Sequence, residues 1–302
     1  MKNILIGGVF FLGGILLMLG SNGLYAGPIR EEKQSFSMTG LGSLIVSYPS
    51  ARLTLRLVEG EDLVITERLR NADPATVSAE GAALRVSGNN RRWYSPSGKV
   101  EALIGIPENF RGDCLVKTGS GSLTLEGSLE SGGLIELSSS SGSLNLDRLR
   151  AAGIVLSSSS GSVNAEELSG NTDIRVSSGR IFIRRLEGER HSIHSSSGSV
   201  DVNALTGTAK IRASAGSVNL GVRELLGDLS FDIASGSLNV RLPRNAGFNL
   251  DAETSSGSIT VSSPAGSFHI KNRSSVLRPV GENPAYTIFA RLGSGNLDIS
   301  GE

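Results

Sequence analysis

The sequence predicts an all-β protein, with an N-terminal β-sheet region leading into a parallel β-solenoid of about 19 residues per coil. Three observations carry that expectation. A Ser-Gly-Ser phrase followed by alternating aliphatic residues recurs along the chain. Apolar residues keep fixed distances from each repeat glycine. Turn-forming residues divide the remainder into strand-length pieces.

The first element, residues 1–26, reads as a signal peptide or an uncleaved membrane anchor. Lys2 precedes an apolar and glycine run at 4–19, and the chain turns polar at Ser21-Asn22-Gly23. The run is shorter than the ~20 residues of a spanning helix, although residues 20–26 extend it. Ser21 and Gly23 suit the small positions of a cleavage site, with Ala26 a second candidate. No cysteine follows the run, which excludes a lipoprotein. Either reading places the rest of the chain outside the cytoplasm.

Residues 27–113 form the second element. The stretches 43–47, 51–57, 63–69, 82–87 and 100–106 alternate or run apolar, with turn clusters such as Glu59-Gly60-Glu61-Asp62 between them. This region is expected to be a sheet layer covering the first coil of the solenoid, because an open coil is an unpaired edge.

The third element, residues 114–302, holds the repeat. Its glycines are Gly121, Gly142, Gly161, Gly179, Gly198, Gly216, Gly236 and Gly257, with a last copy at Gly295. Successive spacings are 21, 19, 18, 19, 18, 20 and 21, and the final gap of 38 is twice 19. Two places after the glycines stand Leu123, Leu144, Val163, Ile181, Val200, Val218, Leu238, Ile259 and Leu297. Four places after stand Leu125, Leu146, Ala165, Ile183, Val202, Leu220, Val240, Val261 and Ile299. Alternate strand positions share a face, so both columns point inward. Leu149, Leu168, Leu186 and Leu205 add an inward residue past a bend, and pairs such as Ile154/Leu156 supply a second strand. A sharp corner in every coil requires a residue that tolerates positive φ, and flanking serine hydroxyls can satisfy turn carbonyls. Residues 264–292 break the pattern and are expected to form an irregular C-terminal cap.

Composition narrows the function. Lys and Arg number 29 and so do Asp and Glu, which argues against nucleic acid as a partner. The single cysteine, Cys114, allows no internal disulfide and no cysteine metal cluster, and it reads as a small buried residue.

The turns Ser159–Val163 and Ser255–Ile259, the segment 100–107 ending in Ile-Pro, and the order Ala246-Gly247-Phe248, Thr254-Ser255-Ser256-Gly257-Ser258, Gly293-Ser294-Gly295 carry a resemblance. Over residues 35–300 the chain resembles the bacterial "putative adhesin" family of β-strand-repeat proteins, domain of unknown function 4097. That family includes membrane-anchored proteins of the LiaG type found with envelope-stress systems. The resemblance implies a β-repeat fold at the cell surface or envelope.

Candidate sites are few. His191 and His194 lie three apart on a strand and so face opposite sides, which disfavours a shared metal; His269 stands alone. Arg111-Gly112-Asp113 has no supporting flank. Three places after each glycine, Thr124, Asn145, Asn164, Phe182, Asp201, Asn219, Asn239, Thr260 and Asp298 form an outward file, read as an amide ladder, with a sugar- or wall-binding face as the alternative. Its acids, Asp201 and Asp298, are far apart along the array, so they offer no glycosidase pair. No metal site and no cofactor is expected. The most distinctive segment is Asn89-Asn90-Arg91-Arg92-Trp93-Tyr94-Ser95-Pro96, in which Arg91, Arg92, Trp93 and Tyr94 present two guanidinium groups and two amphipathic rings. These four are the candidate partner-binding residues, for cell-wall or surface glycan, a membrane surface or an envelope protein.

The leading expectation is a non-catalytic extracytoplasmic surface or envelope protein, used for adhesion, scaffolding or envelope sensing. A self-associating structural rod and a β-helix polysaccharide-active enzyme are the alternatives. The last needs clustered carboxylates or basic groups with a metal, which no column supplies. A reporter fused after Lys33 is expected to be active only on the extracytoplasmic side. Cytoplasmic activity of that fusion contradicts the export reading.

Overall fold

The computed structural model describes residues 28–89, 99–244, 246–264, 266–271 and 274–301. In chain order the strands are β1 (Arg30–Ser37), β2 (Ser43–Ser50), β3 (Arg52–Val58), β4 (Asp62–Arg70), β5 (Asp73–Glu80), β6 (Ala83–Asn89) and β7 (Lys99–Pro107). The array follows with β8 (Asp113–Ser120), β9 (Leu123–Glu130), β10 (Leu134–Ser141), β11 (Leu144–Ser158), β12 (Val163–Ser178), β13 (Ile181–Ser197), β14 (Val200–Glu224) and β15 (Leu229–Leu242). The C-terminal part holds β16 (Phe248–Ser256), β17 (Ser258–Ser263), β18 (Gly266–Lys271), β19 (Ser274–Val280), β20 (Tyr286–Ser294) and β21 (Leu297–Gly301). All belong to one mixed sheet wound into a solenoid.

Each coil has one wall that runs into the serine-glycine corner and another that leaves it. On the leaving wall Leu144, Val163, Ile181 and Val200 stack in parallel register. On the approaching wall Leu137, Leu156, Ile174, Ile193 and Ile211 do the same. The inward columns expected from the spacing are buried in every coil, and so are Leu149, Leu168, Leu186 and Leu205. The pair Glu166-Glu167 breaks the in-out alternation, which marks the bend before Leu168.

Glycine is required for a reason beyond the corner's dihedral angles. Gly121 and Gly236 do adopt positive φ, at 116° and 143°. In every coil, however, a Cβ on the repeat glycine would stand less than 3.0 Å from a carbonyl oxygen of the coil beneath: Gly236 against Gly216, Gly216 against Gly198, Gly161 against Gly142. In three coils an inward hydroxyl three residues before the glycine seals the same corner, whereas that of Ser195 has no partner among the described residues. Ser139 donates to the Gly121 carbonyl at 3.2 Å, Ser158 to that of Gly142 at 3.1 Å, and Thr254 to that of Gly295 at 3.3 Å. A second glycine corner, not evident in the repeat phrase, runs through Gly170 and Gly207, which crowd Ala151 and Gly188 in the same way.

The two ends are built alike. The coil β2–β3 lies on β8–β9, with Leu44 beside Cys114 and Leu53 beside Leu123, and β6–β7 lies outside it. The parallel stack thus extends two coils into the N-terminal region. Antiparallel strands then cover it, β5 on β6 and β4 on β7, with β1 on β4. At the other end β20–β21 pairs with β15 on one side and with β16–β17 on the other. The last coil in sequence is therefore inserted beneath the one that precedes it. This accounts for the doubled gap of 38 residues. The break at 264–292 contains β18 and β19, which cover β17 and β16 in antiparallel register.

One buried polar contact ties the N-terminal cover to the coils. The Tyr48 hydroxyl on β2 donates to Glu67 Oε1 at 2.9 Å, and the Ala75 amide donates to Oε2 at 2.8 Å. Burial raises the Glu67 carboxyl above the ordinary carboxylate range, against the lowering effect of those two donors. The native state then holds a proton that the unfolded chain has released. Stability therefore falls as pH rises from the ordinary carboxyl range through the raised Glu67 value.

Two predictions follow from this architecture. Val200 is buried and Asp201 faces outward, accepting a hydrogen bond from Asn219. Val200→Asp should cost on the order of 4 kcal/mol and Asp201→Ala about 1 kcal/mol, read from denaturant midpoints. Equal losses contradict the assigned facing. For Glu67→Gln, the decline of the thermal midpoint as pH rises above the ordinary carboxyl range should flatten relative to the parent. Parallel profiles would remove Glu67 as its source.

Candidate functional site

Arg91, Arg92, Trp93 and Tyr94 lie outside the described residues. The strands that flank them place their segment. β6 ends at Asn89 and β7 begins at Lys99, so the segment joins the two walls of the outermost parallel coil at the N-terminal end. β1, which starts at Arg30, belongs to the cover of that same end. Residues 1–27, with the apolar run, also lie outside the described residues, among which no helix is long and apolar enough to cross a membrane.

The outward file is a ladder. Asn164 donates to Asn145 at 2.9 Å, Asn219 to Asp201 at 2.6 Å and Asn239 to Asn219 at 2.8 Å. Phe182 interrupts it, in register between Asn164 and Asp201. Asn145 with Asn164, and Asp201 with Asn219 and Asn239, are thus engaged with one another along the stack.

Other singled-out residues are also engaged within the fold. The Arg111 guanidinium donates to the carbonyls of Glu108 and Phe110, at 2.6 and 3.0 Å. Asp113 Oδ1 accepts from the Leu134 amide at 2.7 Å. His191 points inward and His194 outward. The His191 Nε2–H donates to the Thr206 carbonyl at 3.2 Å, and burial holds the ring below the ordinary imidazole range. His269 is exposed, with Nδ1 2.9 Å from the Thr260 hydroxyl. Cys114 is buried and its thiol is pushed up to about 12, which leaves no thiolate for nucleophilic chemistry.

Charges at the bend pair across coils. Arg184 meets Glu166 at 2.9 Å, Arg185 meets Glu167 at 3.3 Å, and Arg56 meets Glu126 at 2.6 Å. Exposed pairs of this kind stabilise little, but they occupy the carboxylates as acceptors.

The approaching wall carries a different feature, which no motif in the sequence reading marked. Near the second corner an open trough of about 460 Å³ crosses the strands, with Val155, Asp173, Ser192, Lys210 and Ser230 in one file. Asn171, Arg190, Thr208 and Asp228 line its other side. The signal in the sequence is the set of outward polar positions that alternate with the apolar residues upstream of each repeat glycine.

Comparison with known proteins completes the description. A "putative adhesin" from Parabacteroides distasonis is similar in structure, at 10% sequence identity and a TM-score of 0.54, covering 89% of this chain and 97% of its own. That similarity is one of fold. A "putative adhesin" from Bacteroides fragilis matches at 10% identity and a TM-score of 0.39, with 89% and 97% covered. A "putative cell adhesion protein" from Clostridium sporogenes matches at 12% identity and a TM-score of 0.25, with 91% and 100% covered. No curated protein sequence matches. The family model for Toastrack DUF4097 spans residues 49–300, from the end of β2 to β21, and the chain belongs to that family.

Proposed function

We propose that the protein is a non-catalytic module of the bacterial surface or envelope. It is exported through residues 1–26, stays tethered there or is released, and makes its contact through Arg91, Arg92, Trp93 and Tyr94. The observation that carries this reading is the shared end. The strand that follows the apolar run and the strands that flank the arginine-tryptophan segment all belong to the N-terminal cover and its outermost coil. A tethered chain would hold that segment against the envelope, with the stack reaching on the order of 50 Å away at ~4.8 Å per coil. Two guanidinium groups beside two amphipathic rings suit a glycan or headgroup surface that is apolar in part and wet in part.

Support for a non-catalytic role comes from how the titratable groups are used. Outward carboxylates at the bend are bound to arginines of neighbouring coils, and Cys114 and Glu67 lie in the core. Against the polymerising-rod alternative stand the covering strands themselves. β5 carries Pro74, β19 carries Pro279, and β1 opens with Arg30-Glu31-Glu32-Lys33. Proline and charge on an edge strand discourage further pairing.

Replacing Arg91, Arg92, Trp93 and Tyr94 together by alanine is expected to leave the thermal midpoint unchanged. The same variant should lose most sedimentation with isolated cell-wall sacculi and envelope vesicles. An unfolded variant would make the rings part of the core. A folded variant that sediments like the parent would show that the contact lies elsewhere.

A further inference from the structure

We infer that the trough across β11–β15 binds an anionic polysaccharide, a linear glycan carrying carboxylate or phosphate groups. This site is separate from the arginine-tryptophan segment and does not depend on it. The argument begins with the trough's direction. Val155, Asp173, Ser192, Lys210 and Ser230 are in-register neighbours on successive coils, so the trough runs along the stack and not along any strand. Four coil steps at ~4.8 Å make it about 19 Å long. An extended polymer lying in it meets a comparable position at each step. Its floor stays low because Gly153, Ser192 and Ser230 are small.

Charge commitment then selects the ligand. The two carboxylates of the trough are each engaged at one oxygen: Asp173 Oδ2 is held by Arg175 while its buried Oδ1 has no partner among the described residues, and Asp228 Oδ1 accepts from the Thr287 amide at 2.7 Å. Its two cations are not. Among the described residues the exposed Arg190 and Lys210 side chains make no hydrogen bond or ion pair. Farther along the same face, His194 on β13 and Arg212 on β14 are exposed and equally uncommitted, although Asp232 stands in register with Arg212. This contrasts with the bend, where Arg184 and Arg185 both have partners. Other exposed cations, such as Lys117, Arg148 and Arg241, are also unpartnered among the described residues; what sets Arg190 and Lys210 apart is that they line one trough together.

The remaining lining fits a glycan. Among the described residues the Ser192 and Ser230 hydroxyls have no partner, and they can exchange hydrogen bonds with sugar hydroxyls. No aromatic ring lines the trough for stacking of nucleic-acid bases. Guanidinium and ammonium groups fixed on adjacent strands of a rigid sheet match carboxylate or phosphate groups on a linear chain.

The test measures binding of the full chain to oligogalacturonate and to poly(glycerol phosphate), with maltohexaose as the neutral control, by titration calorimetry. The parent should bind at least one polyanion and not maltohexaose, and binding should weaken with salt. The two polyanions distinguish carboxylate from phosphate as the natural group. Arg190→Ala with Lys210→Ala should weaken binding about tenfold or more, the loss of at least one charge-assisted contact. The control pair Arg184→Ala with Arg185→Ala removes equal charge and should bind within about twofold of the parent. Should the alanine pair fail to fold, Arg190→Gln with Lys210→Gln takes its place. The alanine variant of Arg91, Arg92, Trp93 and Tyr94 should retain polyanion binding, which separates this site from that segment. No binding of either polyanion by the parent overturns the inference. So does an equal loss in the bend control, or undiminished binding in the trough variant.

Discussion

The contact on which the structure rests is a glycine laid over the glycine of the coil beneath. The carbonyl oxygen of one corner occupies the space that a Cβ on the next would fill, from Gly121 over Ala51 through to Gly257 over Gly295. That contact sets how closely coils approach at the corner and keeps both walls in register. A single coil buries too few aliphatic side chains to offset the entropy of ordering its chain, so stability resides in the stacking. The inward serines act on the same oxygens, satisfying carbonyls that the tight corner would otherwise leave buried without donors.

Much of this was legible in the residues, for a physical reason. A period-two strand fixes facing once one position is known, and each repeat glycine supplies that position. The columns headed by Leu123 and Leu125 are buried throughout for this reason. Facing does not give stacking order, however, so the placement of the Gly295 coil beneath the Gly257 coil was hidden. The coil β2–β3 was harder to see because Ala51 stands where later coils have glycine and no serine phrase marks the corner. The second corner escaped because its glycines, Gly170 and Gly207, recur in few coils. The trough was obscured in another way: Arg190 and Lys210 are ordinary surface residues in sequence, and only the lack of partners distinguishes them from Arg184 and Arg185.

The surface divides by how its charged groups are used. At the bend, arginine and glutamate alternate from coil to coil and neutralise each other. On the leaving wall, asparagines bond along the stack. Such files spend their hydrogen-bonding capacity internally. A repeat scaffold recognises a partner where the repeat is broken, by a segment between walls or by groups left unmatched on one face. Here both kinds of break occur, one at the N-terminal end and one at mid-stack.

The inserted position of the terminal coils bears on how the molecule resists tension. In an ordinary solenoid the chain end is the last coil, held along one edge, and it peels off one hydrogen bond at a time. Here β21 is flanked by β15 and β17, and β20 by β15 and β16. At the other end β2 and β3 lie between β6–β7 and β8–β9. A pull on β21 therefore loads two ladders at once and must open the body of the stack before that coil is released, whereas a pull on β1 first meets the single ladder to β4. Forced unfolding is governed by the height of that first barrier. The C-terminal coil, usually a weak point of a repeat protein, is thus clamped inside the stack, and resistance to peeling differs between its two ends.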